Sequence, residues 1–103
     1  MAVIARWTTP SVLYKPSMVE MDNVSEIYLT IKQGGVTVVT KSLEDADVTE
    51  DGFLWTLTQE ETSNLASRRS AIIQVDYKTL DAMRYTTVPK EYMIGDSGIQ
   101  EVI

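Results

Sequence analysis

Any chemistry in this chain would have to come from carboxylates. Glu44, Asp45, Asp47, Glu50 and Asp51 fall within one short stretch, and histidine and cysteine are both absent from the 103 residues. Without histidine the commonest general base is missing and no Ser-His-Asp arrangement can form. Without cysteine there is no thiol nucleophile, disulfide or zinc-thiolate site. Two carboxylates a few ångströms apart across a cleft could cleave a glycosidic bond. A chain of this length offers little room for that cleft, so no enzyme is expected. Asp45 and Asp47 open like a calcium loop, but the glycine of the EF-hand turn and the glutamate that closes it are missing. The stretch therefore reads as a solvated connection. Gly34-Gly35, Gly95 and Gly98 build no phosphate cradle leading into a helix. No cofactor and no metal are expected.

Charge narrows the partners. Fifteen acidic against nine basic residues give a net charge of −6, the wrong sign for binding a phosphate backbone. Arg68-Arg69 is the one basic pair, and no nucleic-acid partner is expected. No run approaches the ~18 apolar residues of a membrane span. No basic segment followed by an apolar one opens the chain. Met1 reads as a start, which leads to the expectation of synthesis in the cytoplasm without a membrane partner.

What the residues do specify is β-structure. Ile27, Leu29 and Ile31 alternate with Tyr28, Thr30 and Lys32, the period of a strand with one buried face. Gly34-Gly35 supplies the positive-φ loop of a tight hairpin, and Val36 to Thr40 returns as its partner. Turn signals recur along the chain in the rhythm of an all-β sandwich. Val3 to Thr9 is predicted as a first strand anchored by Trp7, with Val12 to Lys15 continuing it after Pro10. A short strand is predicted around Val48. Asp51-Gly52 turns into a further strand whose Phe53, Trp55 and Leu57 face inwards. Thr58-Gln59-Glu60-Glu61 matches a capping box, with Thr62, Leu65 and Ala66 turned towards the sheets. Arg68 and Arg69 then fall just past the negative end of that short helix, as helix-terminal charges. Ser70 to Thr79 is a strand with Ile73, Val75 and Tyr77 on one face. Leu80-Asp81-Ala82 turns it back into Met83 to Val88, which Pro89 ends.

The sum is an all-β, immunoglobulin-like antiparallel sandwich of about seven strands with one short helix. It forms a single domain over 1–93, followed by a tail over 94–103. Function then rests on surface, and two terminal regions stand out. Val3, Ala5 and Trp7 lie on one face of the first strand and Ala2, Ile4 and Arg6 on the other. That pattern fits a core strand, or one covered on its second face by another subunit. In the tail, Ile94, Ile99, Val102 and Ile103 are spaced through Gly, Asp and Ser. The tail either folds back on its own sandwich or docks on a neighbour as an arm. Val3, Ile4, Trp7, Ile94, Ile99, Val102 and Ile103 are the candidate partner-binding residues.

Several stretches also resemble a family: Thr8-Thr9-Pro10, Glu26 to Gln33, Lys41, Leu57-Thr58-Gln59-Glu60-Glu61-Thr62, Ile73-Gln74-Val75 and Val102-Ile103. Together they look like the short immunoglobulin-like proteins encoded in phages and prophages of Gram-positive bacteria. Leu80-Asp81-Ala82, where the family pattern has Asp-Gly, and the run from Val12 to Val24 depart from it. The family attaches no catalytic or ligand residues to its pattern. The resemblance implies a protein made in the host cytoplasm and assembled into the virion, in the tail or baseplate. Its partners would be other phage structural proteins or further copies of itself. The alternative is a non-catalytic binding module, either a regulator of a host protein or a cell-surface binder whose Tyr14, Tyr85 and Tyr92 stack on sugars.

Overall fold

Alternation decides the centre of the fold. The computed structural model describes residues 2–103. In it, Val24–Gln33 and Ser70–Thr79 are ten-residue strands paired antiparallel. Ile27, Leu29 and Ile31 of the first and Ala71, Ile73, Val75 and Tyr77 of the second are buried, while Tyr28, Lys32, Ile72 and Lys78 face outwards. Each buried aliphatic of this kind contributes roughly 1.5–3 kcal/mol relative to an exposed one.

In chain order the described residues form β1 (Ala2–Ala5), β2 (Ser11–Tyr14), β3 (Val24–Gln33), β4 (Val36–Lys41), β5 (Asp47–Thr49) and β6 (Gly52–Thr56). Then come the helix α1 (Gln59–Ser63) and β7 (Ser70–Thr79), β8 (Arg84–Thr86) and β9 (Lys90–Gly95). One sheet runs β1-β9-β7-β3-β4, with β8 also on β7; the other runs β2-β6-β5. Phe53, Trp55 and Leu57, at and just beyond β6, join the rows of β3 and β7 in one apolar cluster. The result is a two-sheet, sandwich-like all-β domain. The Trp55 indole N–H donates to the Ser42 carbonyl at 2.9 Å, so its one polar atom is satisfied inside the core.

The predicted hairpin is present, with Gly34 and Gly35 at φ 60° and 79°. The capping box is formed: Thr58 accepts from the Glu61 N–H at 3.1 Å, and the Glu61 carboxylate accepts from the Thr58 N–H at 2.8 Å. Gly52, at φ 133°, allows β6 to pass the backbone of β2; a Cβ there would lie 2.5 Å from the Tyr14 carbonyl oxygen.

Other expectations are corrected. There are nine strands among the described residues rather than about seven, and β1 runs parallel to β9, so the fold is not wholly antiparallel. β1 ends at Ala5; the chain turns at Arg6-Trp7 and crosses to the other sheet, so β2 pairs with β6 instead of continuing β1. Pro89 does not end the sheet. From Asp76 to Ile73 β7 advances three residues while its partner advances four, from Thr86 to Lys90. Thus β8 and β9 are one return strand interrupted by a bulge, which absorbs the proline that cannot donate to a ladder. At the bulge the Thr87 hydroxyl accepts from the Val75 N–H at 3.0 Å, in place of a backbone carbonyl. The predicted boundary between 93 and 94 therefore falls inside β9.

The helix is also shorter than its apolar spacing suggested. It ends at Ser63; Thr62 and Leu65 are buried but Ala66 is exposed. Arg68 and Arg69 lie beyond its last turn, in a turn that enters β7, where the Arg68 N–H donates to the Ile94 carbonyl at 2.8 Å. They do not serve the helix dipole.

Candidate interaction surface

Of the seven candidate partner-binding residues, two belong to the interior. Ile4 and Ile94 are register partners across the β1–β9 pair and are both buried. Neither offers surface to a neighbour, because each completes the apolar row of its own sheet. Val3, next to Ile4, points the other way and is 64% exposed. Met93, its register partner, is half-buried on the same outer face.

Trp7 is half-buried at a corner with φ 63°, unusual for a bulky side chain. The corner is held from several sides. The Arg6 N–H donates to the Gly95 carbonyl at 2.9 Å, and the Arg6 guanidinium donates to the Ser63 carbonyl at 2.8 Å. The Thr8 N–H donates to the Thr62 hydroxyl at 3.1 Å, and that hydroxyl donates to the Thr8 carbonyl at 2.9 Å. β9 and α1 together impose the backbone that Trp7 would not choose alone.

Beyond β9, residues 96–103 leave the sheet as an arm without regular structure. Asp96 meets the Arg6 guanidinium at 3.4 Å. The arm then returns to the start of α1. There the Gln59 side-chain amide donates to the Ile103 carbonyl at 3.2 Å and accepts from the Ile103 N–H at 2.9 Å. Val102 lines a shallow groove with Thr9, Thr56, Leu57 and Gln59. Even so, Ile99, Val102 and Ile103 are 51%, 55% and 79% exposed. The tail thus folds back on its own domain while leaving these three side chains more than half exposed. Gln59 had no signal in the sequence, because its partner lies 44 residues away.

No protein family, curated protein or solved structure matches this chain.

The acidic stretch is divided by the fold. Asp45 accepts from the Ser42 N–H at 2.8 Å, and that backbone hydrogen bond holds its carboxyl below the ordinary value. Asp47 sits exposed in β5. No group of three or more metal-ligating side chains gathers among the described residues. Glu61 is buried enough to raise its pKa, but hydrogen bonds from Lys41, at 2.8 Å, and from the Thr58 N–H outweigh burial and lower it. These groups cap turns and tie the helix to β4.

The tyrosines also have structural partners. Tyr14 and Tyr85 both pack on buried Tyr77, with ring centroids 6.0 and 5.1 Å away. Burial, aided by the Tyr77 hydroxyl, pushes Tyr14 up to about 12. Tyr92 is half-buried, with the Lys90 ammonium 5.7 Å from its ring centre. None of the three is a free stacking platform. A larger hollow of about 680 Å³ lies between the loop from Lys15 to Asn23 and Glu50. Its walls are mostly loop, with Met18 largely exposed.

Proposed function

We propose that this protein is a structural or assembly component of a bacteriophage particle, in the tail or baseplate, acting through protein–protein contacts. The observation that carries the reading is the arm. Val102 and Ile103, both more than half exposed, lie at a groove where Gln59 holds backbone, and Ile99 earlier in the arm is exposed as well. Exposed apolar side chains gathered at one place mark a contact surface rather than a reaction site. The sequence resemblance supplies the phage setting, and its stretch from Leu57 to Thr62 contains both the helix cap and the Gln59 clamp. The immunoglobulin-like description belongs to this proposal too, as a particular form of the two-sheet architecture.

Mass spectrometry of purified particles tests it. Stoichiometric copies that survive high-salt washing are the expected result. Absence from particles, with the protein free in the lysate of infected cells, would leave the alternative of a binding module acting in the host. The sugar-binding version of that alternative has little support, since Tyr14 and Tyr85 are packed on Tyr77.

A further inference from the structure

We infer that the arm of residues 96–103 is an exchangeable connector: it leaves its own groove and enters the Gln59 groove of a second copy of this chain. The inference deepens the proposed function by naming a partner for the contact surface, and so rests on that reading.

The attachment of the arm to its own domain is thin. Two exposed hydrogen bonds to Gln59 and one exposed ion pair between Arg6 and Asp96 hold it. Exposed interactions of these kinds are individually weak. The folded-back position leaves Ile99, Val102 and Ile103 all more than half exposed. Closure therefore gains little of the burial that an apolar segment can gain.

The groove reads backbone. Gln59 offers one donor and one acceptor to the backbone N–H and oxygen of a single residue, Ile103, as a residue of a neighbouring antiparallel strand would. An arm from another copy presents the same N–H and C=O to the same amide, so exchange conserves both hydrogen bonds. The second domain can then cover the apolar residues that closure leaves bare. Eight extended residues span roughly 26–29 Å, comparable with the two smaller dimensions of the molecule, 27 and 20 Å, and shorter than its 45 Å length. Arm and groove are different surfaces, so the contact is heterologous, and each copy gives one arm and receives another. Such a contact builds a ring or an open stack.

Sedimentation velocity over a dilution series tests this on the full chain. The wild type is expected to self-associate as concentration rises, to a dimer where exchange is reciprocal and beyond it where the arm passes on to a third copy. Deletion of residues 96–103 removes the arm, and Gln59→Ala weakens the groove. The deletion should shift self-association roughly tenfold or more towards monomer, whereas Gln59→Ala, which loses the same two hydrogen bonds in the closed and the exchanged positions, should leave it within about threefold. Mixed together they complement, since the Gln59→Ala chain keeps an arm and the shortened chain keeps a groove. With the shortened chain in excess, its empty intact groove should capture the arm of the Gln59→Ala chain as a one-to-one heterodimer at the expense of larger species.

The lack of cysteine adds a second readout that does not depend on the shortened chain folding. A Gln59→Cys chain mixed with an Ile103→Cys chain should form a mixed disulfide dimer in preference to either homodimer. A wild type that stays monomeric up to about 1 mM, or single-cysteine chains that link only at random, overturns the inference. These measurements use purified protein, whereas particle mass spectrometry tests the phage reading. Failure of one is distinguishable from failure of the other.

Discussion

Gln33 and Ala66 exchange two hydrogen bonds: the Gln33 amide donates to the Ala66 carbonyl at 2.8 Å and accepts from the Ala66 N–H at 2.7 Å. Gln33 is buried at the end of β3, and Ala66 lies in the connection between α1 and β7. The pair has the same chemistry as Gln59 with Ile103, but its amide is buried and its hydrogen bonds are partly shielded from water. Replacing Gln33 by Leu should leave both backbone groups of Ala66 without partners and cost about 2–4 kcal/mol. Gln59→Ala, where water can replace the amide, should cost under about 0.5 kcal/mol. Thermal unfolding of the two variants beside wild type checks the contrast; equal losses would show that burial is not what separates them.

Gly52 and Gly35 both have positive φ, but their surroundings differ. A Cβ at Gly52 meets the Tyr14 backbone at 2.5 Å, whereas at Gly35 it meets nothing within 4 Å. Gly35→Ala should cost only the left-handed backbone strain, about 1–2 kcal/mol. Gly52→Ala should cost more, because β2 must move away from β6. Denaturant midpoints give the order, and a larger loss at Gly35 would refute the close-approach argument.

Glu61 has its pKa lowered on folding from the ordinary 4.5. Its ionised form therefore stabilises the fold above the unfolded value, and that contribution is lost as pH falls through the lower folded value. Glu61→Gln should flatten the acid side of the stability profile below about pH 4.5, with a difference under about 1 kcal/mol after solvent screening. Urea midpoints measured across that range for both proteins test it. An unchanged acid limb would mean that Lys41 and Thr58 do not favour the carboxylate.

Tyr14 titrates in the opposite sense. Its pKa is raised from 10.0 to about 12, so its contribution is complete below pH 10 and is lost as pH rises through about 12. Tyr14→Phe should remove this late step from the tyrosinate absorbance titration and flatten the alkaline limb of stability between those values. A titration that loses instead a step near pH 10 would place Tyr14 in water.

Local chemistry was legible in the residues. Alternation at Ile27-Leu29-Ile31 and at Ile73-Val75-Tyr77, the Gly34-Gly35 turn and the Thr58–Glu61 cap each depend on neighbours a few positions apart. Ser70–Thr79 was read from end to end. The clearest errors concern return and crossing. Pro89 reads as a stop, yet a bulge carries the strand past it, and Ile94 reads as tail although β9 aligns it with Ile4. In the surface region, Ile99, Val102 and Ile103 were legible as apolar residues in a polar setting, while Gln59, which holds Ile103, was not.

Composition and spacing alone determined that the chain has no histidine or cysteine chemistry, carries excess negative charge, and forms strands with one greasy face. Tertiary structure decided which strands are neighbours, that β1 and β9 run the same way, and which apolar termini are interior. The physical reason is range. Side-chain period and turn preference act within a few bonds, whereas pairing partners and the Gln59 clamp depend on segments that only the collapsed chain brings together.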